Sequence, residues 1–481
     1  MKCKKGILLG LMLLTLNIWG SMSLDDCKKE ALQHNLGIAA QEEIHSAAKC
    51  ESKAAIADFL PSVTALGNYT HLSDPIIFDL EDQFLDLMNG VEEFSDYLVQ
   101  AHDSNWAEAE LYDPANSPLY NLLSEMYDAG LLDESLEQEI GSQDIWALGL
   151  TVSQPLFTGG KLKEKYKITK LAENMTEWEL EQKRQEVIFE TIHRYWLVVE
   201  LESKRNLAEK YLETIISYKK DLENYLEEGI ITSNDLLKID VKKNEAELNL
   251  LKVENGIALA RMALNQMMGM ELNSQIELSD DLPDNAEFQR KQSLSETAQE
   301  LRPELQLLSE GLEISKSLEK ITFSRYLPNL MLIGSYNYLN PDPHNSLEAE
   351  FGDDWTVGVS AQWEIFNWNQ RGNALSAAKH RKKAIEKQFQ EAEEMVNLEL
   401  SQSQYLAEES VVKVSMCERH LTAAQNNLHE TEDLFDEGIV KTSEVLEAQT
   451  LWFDAESELI NAKAEYVLQK AAVAKSAGIL K

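Results

Sequence analysis

"WTVGVSAQWEIF", residues 355–366, alternates without a break. Trp355, Val357, Val359, Ala361, Trp363 and Ile365 fall on one side, and Thr356, Gly358, Ser360, Gln362 and Glu364 on the other. A period of two is the mark of a β-strand. "WALGLTVSQ" (146–154) does likewise, with Trp146, Leu148, Leu150 and Val152 opposed by Ala147, Gly149, Thr151 and Ser153. "LPSVTALGNYTHL" (60–72) and "LPNLMLIGSYNYL" (327–339) match each other at Pro61 and Pro328, Gly67 and Gly334, Tyr69 and Tyr336. Each run is about 9–12 residues, the length a tilted strand needs to cross a bilayer. Aromatic residues near their ends (Trp146, Phe157, Tyr326, Tyr338, Trp355, Trp363, Phe366) are placed to form an interface girdle. A water-soluble sandwich would need more sheet than four strands, and its second face would not have to be so small and polar. Four strands cannot close a barrel, and an open edge is not tolerated in lipid. The strands are therefore expected to be shared among subunits, with lipid on the apolar face and a water-filled lumen on the polar face.

Between these strands the chain has a different character. No proline occurs between Pro155 and Pro283, and neither glycine nor proline appears from Lys161 to Glu228 or from Asn373 to Glu437. Both stretches are rich in Glu, Lys, Gln, Ala and Leu, which favour helix. In "LEQKRQEVIFETIHRYWLVVELESKRNLAEKYL" (180–212) the apolar residues recur at three and four, the stripe of a helix packed along a neighbour. A helix over the whole of Lys161–Glu228 would be about 100 Å long. Gly229 and Gly438 fall where each long helix should stop, and shorter helices are predicted at about 233–268 and 442–476, so each long helix returns as a hairpin. His193, beside Tyr195 and Trp196, is expected in the hairpin core.

The hairpin turns repeat. "YLEEGIITSNDLLKIDVKKNEAEL" begins at Tyr225 and "LFDEGIVKTSEVLEAQTLWFDAES" at Leu434, an offset of 209 that holds without a gap down to Gly269 and Gly478. The first strands are offset by 267 (Pro61 to Pro328), because the loops between the strands of each pair differ in length. The chain thus reads as two copies of helix, strand, loop, strand, long helix, turn, helix. The first copy is placed at 24–269 and the second at 301–481, with 270–300 as an irregular linking segment between them.

Composition bounds the rest. The chain has 481 residues, a formal charge of −39 and a pI near 4.6, so it lacks the basic face a nucleic-acid binder needs. The acids are spread along the chain and 44% of residues are hydrophobic, which is not the make-up of a disordered acidic tail. "MKCKK", "GILLGLMLLTLNIW" and "GSMS" form the charged, apolar and small-residue segments of an export signal at 1–23, with cleavage after Ser23; a membrane anchor is the alternative. Cys27, Cys50 and Cys417 would remain, an odd number. If 25–57 is one helix, Cys27 and Cys50 are about 35 Å apart and cannot bridge. The segment 73–144 is acidic throughout without a Lys or Arg, and "LEDQFLDLMNGVEEFSDYLVQ" within it has helical periodicity. It is expected as a solvated loop or small folded cap; a Ca²⁺ site would need a ligand spacing it lacks.

The tandem layout, "FLPSV" (59–63) and "YLPNL" (326–330) at the strand starts, "QPLFTGGK" (154–161) leading into a long helix, and the paired "EGI" turns resemble the TolC-like outer-membrane efflux and secretion channels. The resemblance covers essentially the whole chain after the signal. It implies a homotrimer in the outer membrane of a Gram-negative bacterium. Its shared twelve-stranded β-barrel would contact outer-membrane lipid, and a helical barrel would extend into the periplasm. It also implies two partners, a periplasmic adaptor (membrane fusion) protein and an inner-membrane efflux or secretion transporter. By position, Gly229 with Ile230 and Gly438 with Ile439 would be the adaptor-docking tips. Glu444, Glu447 and Asp235 would be the periplasmic gate. Val440 stands where a latch arginine would be expected, with Lys441 and Lys238 as nearby substitutes.

An enzyme is not expected, since the chain contains no HExxH, GxSxG, Walker or dinucleotide-binding pattern. No cofactor or metal is implied. Cys417 and His420 share a helical face and are read as packing. The competing functional class is a non-conducting coiled-coil tether that spans the envelope and uses its strands only as an anchor.

Overall fold

Two helices of 67 residues dominate the chain: α3, Lys161–Glu227, and α7, Gln370–Asp436. Each is followed by a helix of 35 residues: α4, Ser233–Met267, and α8, Thr442–Ser476. All eight boundaries are related by the same offset of 209, so the two hairpins are copies residue for residue. The remaining helices are α1 (Leu24–His34), α2 (Leu36–Ala57), α5 (Leu294–Leu301) and α6 (Pro303–Ser324). The strands of the main sheet are β1 (Ser62–His71), β2 (Asp144–Phe157), β3 (Asn329–Asn340) and β4 (Gly352–Gln362), and a short antiparallel pair joins Ile77–Phe78 to Gln138–Glu139. The structure, a computed structural model, describes residues 21–73, 77–78, 138–139, 143–291, 293–345 and 349–481. Residues 1–20 of the export signal expected at 1–23, and the run of helical periodicity within 73–144, expected as part of a solvated loop or small folded cap, lie outside the described residues.

The chain divides into two compact units. One is made of the residues up to Ser52, Ile168–Lys316 and Lys379–Lys481; the other of Lys53–Lys167 and Ser317–Ala378.

The first unit is helical. Its main core joins α1, α3, the end of α4 and the segment after it, around Cys27, Tyr195, Leu264, Met268 and Ile276. Ala298, Leu305, Val396, Leu400 and Ala477 form a core in the second repeat. Both repeats close in the same way. Gly269 and Gly478 follow α4 and α8 with φ of 69° and 71°. Gly269 lies against the His34 carbonyl at the end of α1, and Gly478 against Leu301 at the end of α5. α5 is thus the counterpart of α1, and all of it but Leu301 falls in the segment 270–300 expected as irregular linker. The predicted single helix 25–57 is instead broken at Asn35. The Asn35 side chain accepts from the Gly37 backbone N–H at 2.9 Å and donates to the Met267 carbonyl at 3.2 Å. A second difference concerns His193, which is exposed, while Tyr195 and Trp196 on the same turn are buried.

The second unit carries an antiparallel sheet in the order β1-β2-β3-β4. Its register aligns the faces anticipated from the alternation. Ala65, Leu150, Tyr336 and Trp355 form one cross-strand row, and Val63, Val152, Gly334 and Val357 the next. The opposite face carries the row Thr64, Thr151, Ser335 and Thr356, with a hydrogen bond of 2.7 Å between Ser335 Oγ and Thr356 Oγ1. The apolar face is open, Trp355 being 70% exposed. β4 ends at Gln362, short of the alternation that runs on to Ile365. There the Trp363 indole donates to the Tyr326 carbonyl, and Arg371 donates to the carbonyls of Glu364 and Ile365, which draws the backbone out of the ladder. No helix among the described residues is long and apolar enough to cross a membrane.

Candidate gate and docking tips

Both hairpin turns close with the same hydrogen-bond pattern. The Gly229 N–H reaches the Leu226 carbonyl and the Ile230 N–H the Tyr225 carbonyl, at 3.0 and 2.9 Å. In the second repeat the Gly438 N–H reaches the Phe435 carbonyl and the Ile439 N–H the Leu434 carbonyl, at 2.8 and 2.9 Å. This pairing satisfies carbonyls that a helix end leaves without partners, and it needs a left-handed residue at its hinge. Gly229 and Gly438 supply it, with φ of 77° and 74°. The residue after each glycine is thrown outward. Ile230 and Ile439 are 63% and 64% exposed, two apolar side chains presented at equivalent positions.

The acids expected at the gate are not equivalent. Asp235 caps α4: its carboxylate accepts from the Thr232 hydroxyl at 2.7 Å, the Thr232 N–H at 3.2 Å and the Lys238 ammonium at 3.0 Å. Those hydrogen bonds, from Thr232 first and then Lys238, hold its pKa below the ordinary carboxylate value. Adding 209 to 235 and 238 gives Glu444 and Glu447. The ion pair of the first repeat is therefore replaced in the second by two like charges three residues apart on one helix face. Glu444 and Glu447 are both exposed, and among the described residues neither accepts a side-chain hydrogen bond. The structure thus brings the predicted acids to corresponding helix starts but leaves only those of α8 uncommitted. This divergence was present in the sequence, and Lys238 was the residue that marked it.

A cavity of about 510 Å³ lies beside them, between α4 and α8, lined by Lys238, Val241, Lys242, Ser443, Leu446, Glu447 and Thr450. Behind it the hairpins meet through aromatic rings that the sequence did not single out. Tyr211 packs on Phe453 with centroids 4.6 Å apart, and Phe435 receives Tyr218 at 5.5 Å and Tyr225 at 5.9 Å. Ile215, Leu222, Ile239 and Leu446 complete this core. Val440, which stands in place of a latch arginine, is thus close in sequence to a ring that joins the two hairpins. Of the two nearby lysines, Lys238 is committed to Asp235. Glu432, on α7 just before the second turn, has its carboxyl pushed up chiefly by burial, with the Gln449 amide opposing the shift. His420 pairs with Glu458 at 3.5 Å, and no group of three or more metal-ligating side chains occurs among the described residues.

Against this geometry, the sequence matches the family model of the outer membrane efflux proteins over residues 110–270 and 294–479, one match per repeat. It is similar to the outer membrane protein TolC of Vibrio cholerae, 23% identical over 235 residues. That alignment covers 47% of this chain and 52% of that protein, so the chain matches about half the length of its curated relative. The fold is similar to that of the outer membrane protein VceC from Vibrio cholerae, with a TM-score of 0.70 at 14% identity over 95% of this chain and 96% of that one. It is also similar to the Campylobacter jejuni CmeC outer membrane channel, with a TM-score of 0.72 at 15% identity over 95% and 85% of the two chains.

Proposed function

Because the chain belongs to the outer membrane efflux protein family, we propose that it is the outer-membrane channel of a tripartite export system. In this role it is a passive conduit: an inner-membrane transporter does the work, a periplasmic adaptor joins the two, and cargo leaves through the lumen. The observation that carries this reading is the sheet. Its two faces have opposite chemistry, the apolar one is open, and β1 and β4 are left as edges. In lipid such edges must find partners, and copies of the same chain supply them, β4 of one against β1 of the next. Three copies would close twelve strands.

Periplasmic access is controlled at the hairpin turns. Three copies bring together three Glu444 and three Glu447, and a ring of carboxylates favours cations and opposes anions. Asp235, already paired, stabilises the first turn instead of contributing to the ring. The adaptor docks on the apolar side chains of Ile230 and Ile439.

Conductance of the purified protein in planar bilayers tests this. A cation-preferring channel is expected, with the preference reduced in Glu444→Gln/Glu447→Gln; a trimer that does not conduct would instead indicate an envelope tether. Photo-crosslinking from Ile230 and Ile439 in cells should capture an adaptor, whose attached transporter would identify the cargo class.

A further inference from the structure

The small-residue pattern Ser21-Met22-Ser23 offers a cleavage site after Ser23, yet the fold uses the residues that such a cut would discard. Met22 is 3% exposed and belongs to the main helical core. Its N–H donates to the Glu277 carbonyl at 2.8 Å, and its carbonyl accepts from the Ser279 N–H at 3.0 Å, a parallel bridge to Leu278. The hydroxyl of the fully buried Tyr195 lies 3.2 Å from the same carbonyl and 2.8 Å from Asp280, which also accepts from the Leu24 N–H. Ser23 is the N-cap of α1. Its hydroxyl receives the Asp26 N–H at 3.3 Å, while the Asp26 carboxylate receives the Ser23 N–H at 3.2 Å. Two backbone partners, a buried apolar side chain and a reciprocal cap leave little of residues 22–23 without a role. A peptide removed before folding would have no reason to fit its surroundings so fully.

We propose that the export signal is cleaved amino-terminal to Met22, at the Gly20–Ser21 bond where a small residue again precedes the cut. The mature chain keeps Met22 and Ser23 as a strap that ties α1 of the first repeat to the segment joining the repeats. Cleavage after Ser23 would instead place a charged α-ammonium at Leu24, empty the Met22 slot and remove the cap.

The test is intact-mass measurement and amino-terminal sequencing of the protein extracted from outer membranes. A first residue at Ser21 or Met22 supports the proposal. An uncleaved chain, or a first residue at Ser23 or Leu24, overturns it. The strap is tested separately by hydrogen exchange on Ser23→Ala, which should retain the wild-type mature start. Losing an N-cap typically accelerates opening about 5-fold, so faster exchange is expected in the first turn of α1 but not at the hairpin turns. Unchanged exchange there would show that the cap does not hold the helix, and would overturn the strap.

Discussion

Four glycines occupy the same backbone conformation in two different settings, and replacing each by alanine separates the two contributions. Gly229 and Gly438 have φ of 77° and 74°, and nothing lies within 4 Å of an added Cβ. Alanine there meets only the left-handed backbone penalty, about 1–2 kcal/mol. Gly269 has the same conformation, but its Cβ would stand 2.6 Å from the His34 carbonyl oxygen; at Gly478 it would stand 3.0 Å from the Leu301 carbonyl carbon. Both obstacles are backbone, which cannot rotate aside, so overpacking adds about 1–3 kcal/mol. At about 1.4 kcal/mol per factor of ten, local opening should rise roughly 5- to 30-fold in Gly229→Ala and Gly438→Ala. For Gly269→Ala the combined cost of about 2–5 kcal/mol corresponds to roughly 30- to several-thousand-fold. Gly478→Ala belongs near the lower end of that range. Hydrogen exchange read at peptide level reports this directly, because Ile230, Ile439, Met270 and Ile479 each donate a backbone bond across the turn concerned. Equal acceleration at Gly229 and Gly269, or none at the hairpin turns, would refute the claim that the turns carry only conformational strain while the repeat closures also carry contact.

Lys238→Glu should leave cation over anion permeability close to the wild-type value, because only the second turn contributes carboxylates to the ring; a reversal-potential shift in a salt gradient would show otherwise. Asp235→Ala should cost the first turn about 1 kcal/mol, the usual value of a cap. Because the folded-state pKa of Asp235 is lowered, this stabilisation is present above its ordinary value of 3.8 and fades as pH falls through the folded value, so mutant and wild type should converge in acid thermal melts. Glu432 has the opposite sign: its raised pKa makes the neutral form the better fitted one. Glu432→Gln should therefore raise thermal stability at neutral pH, and the gain should vanish below about pH 4.5, the ordinary glutamate value, where the native side chain is itself protonated. Phe435→Ala removes the partly buried ring that both Tyr218 and Tyr225 contact, at a cost below the about 3–5 kcal/mol of a fully buried Phe; trypsin should then cut near the turns faster than in wild type, and unchanged cleavage would dissociate the rings from hairpin docking.

Much of this fold is legible in the sequence, because its signals are local. The stretches without glycine or proline bounded α3 and α7 to within three residues, since a helix of ordinary composition stops where a left-handed residue becomes available. Alternation found the strands because each face meets one solvent. The misses were tertiary. Asn35 breaks its helix by bonding to the Met267 carbonyl, a partner more than two hundred residues away. The end of β4 depends on Arg371 and Trp363 reaching across to carbonyls outside the ladder. The aromatic contacts of Phe435 arise only when one hairpin docks on the other, so no pattern within either hairpin announces them.

The site shows a further kind of legibility, lodged in the difference between copies. A repeat that needed only to turn could keep either version of its acids, and the first copy keeps one that neutralises itself: Asp235 caps its helix and pairs with Lys238. In the second copy Lys441 stands in place of the capping Thr232, and glutamate in place of Lys238, so Glu444 and Glu447 have neither partner. Two unpaired like charges at a helix start repel each other and contribute nothing to folding that the first copy does not obtain more cheaply. Their presence at one turn and not the other is therefore the best argument that the second hairpin faces something the first does not. The Lys238→Glu variant puts that argument at risk. If it leaves ion selectivity unchanged while Glu444→Gln/Glu447→Gln lowers it, the two turns face different surroundings in the assembled channel. If neither variant alters selectivity, the carboxylates belong to an ordinary solvated surface.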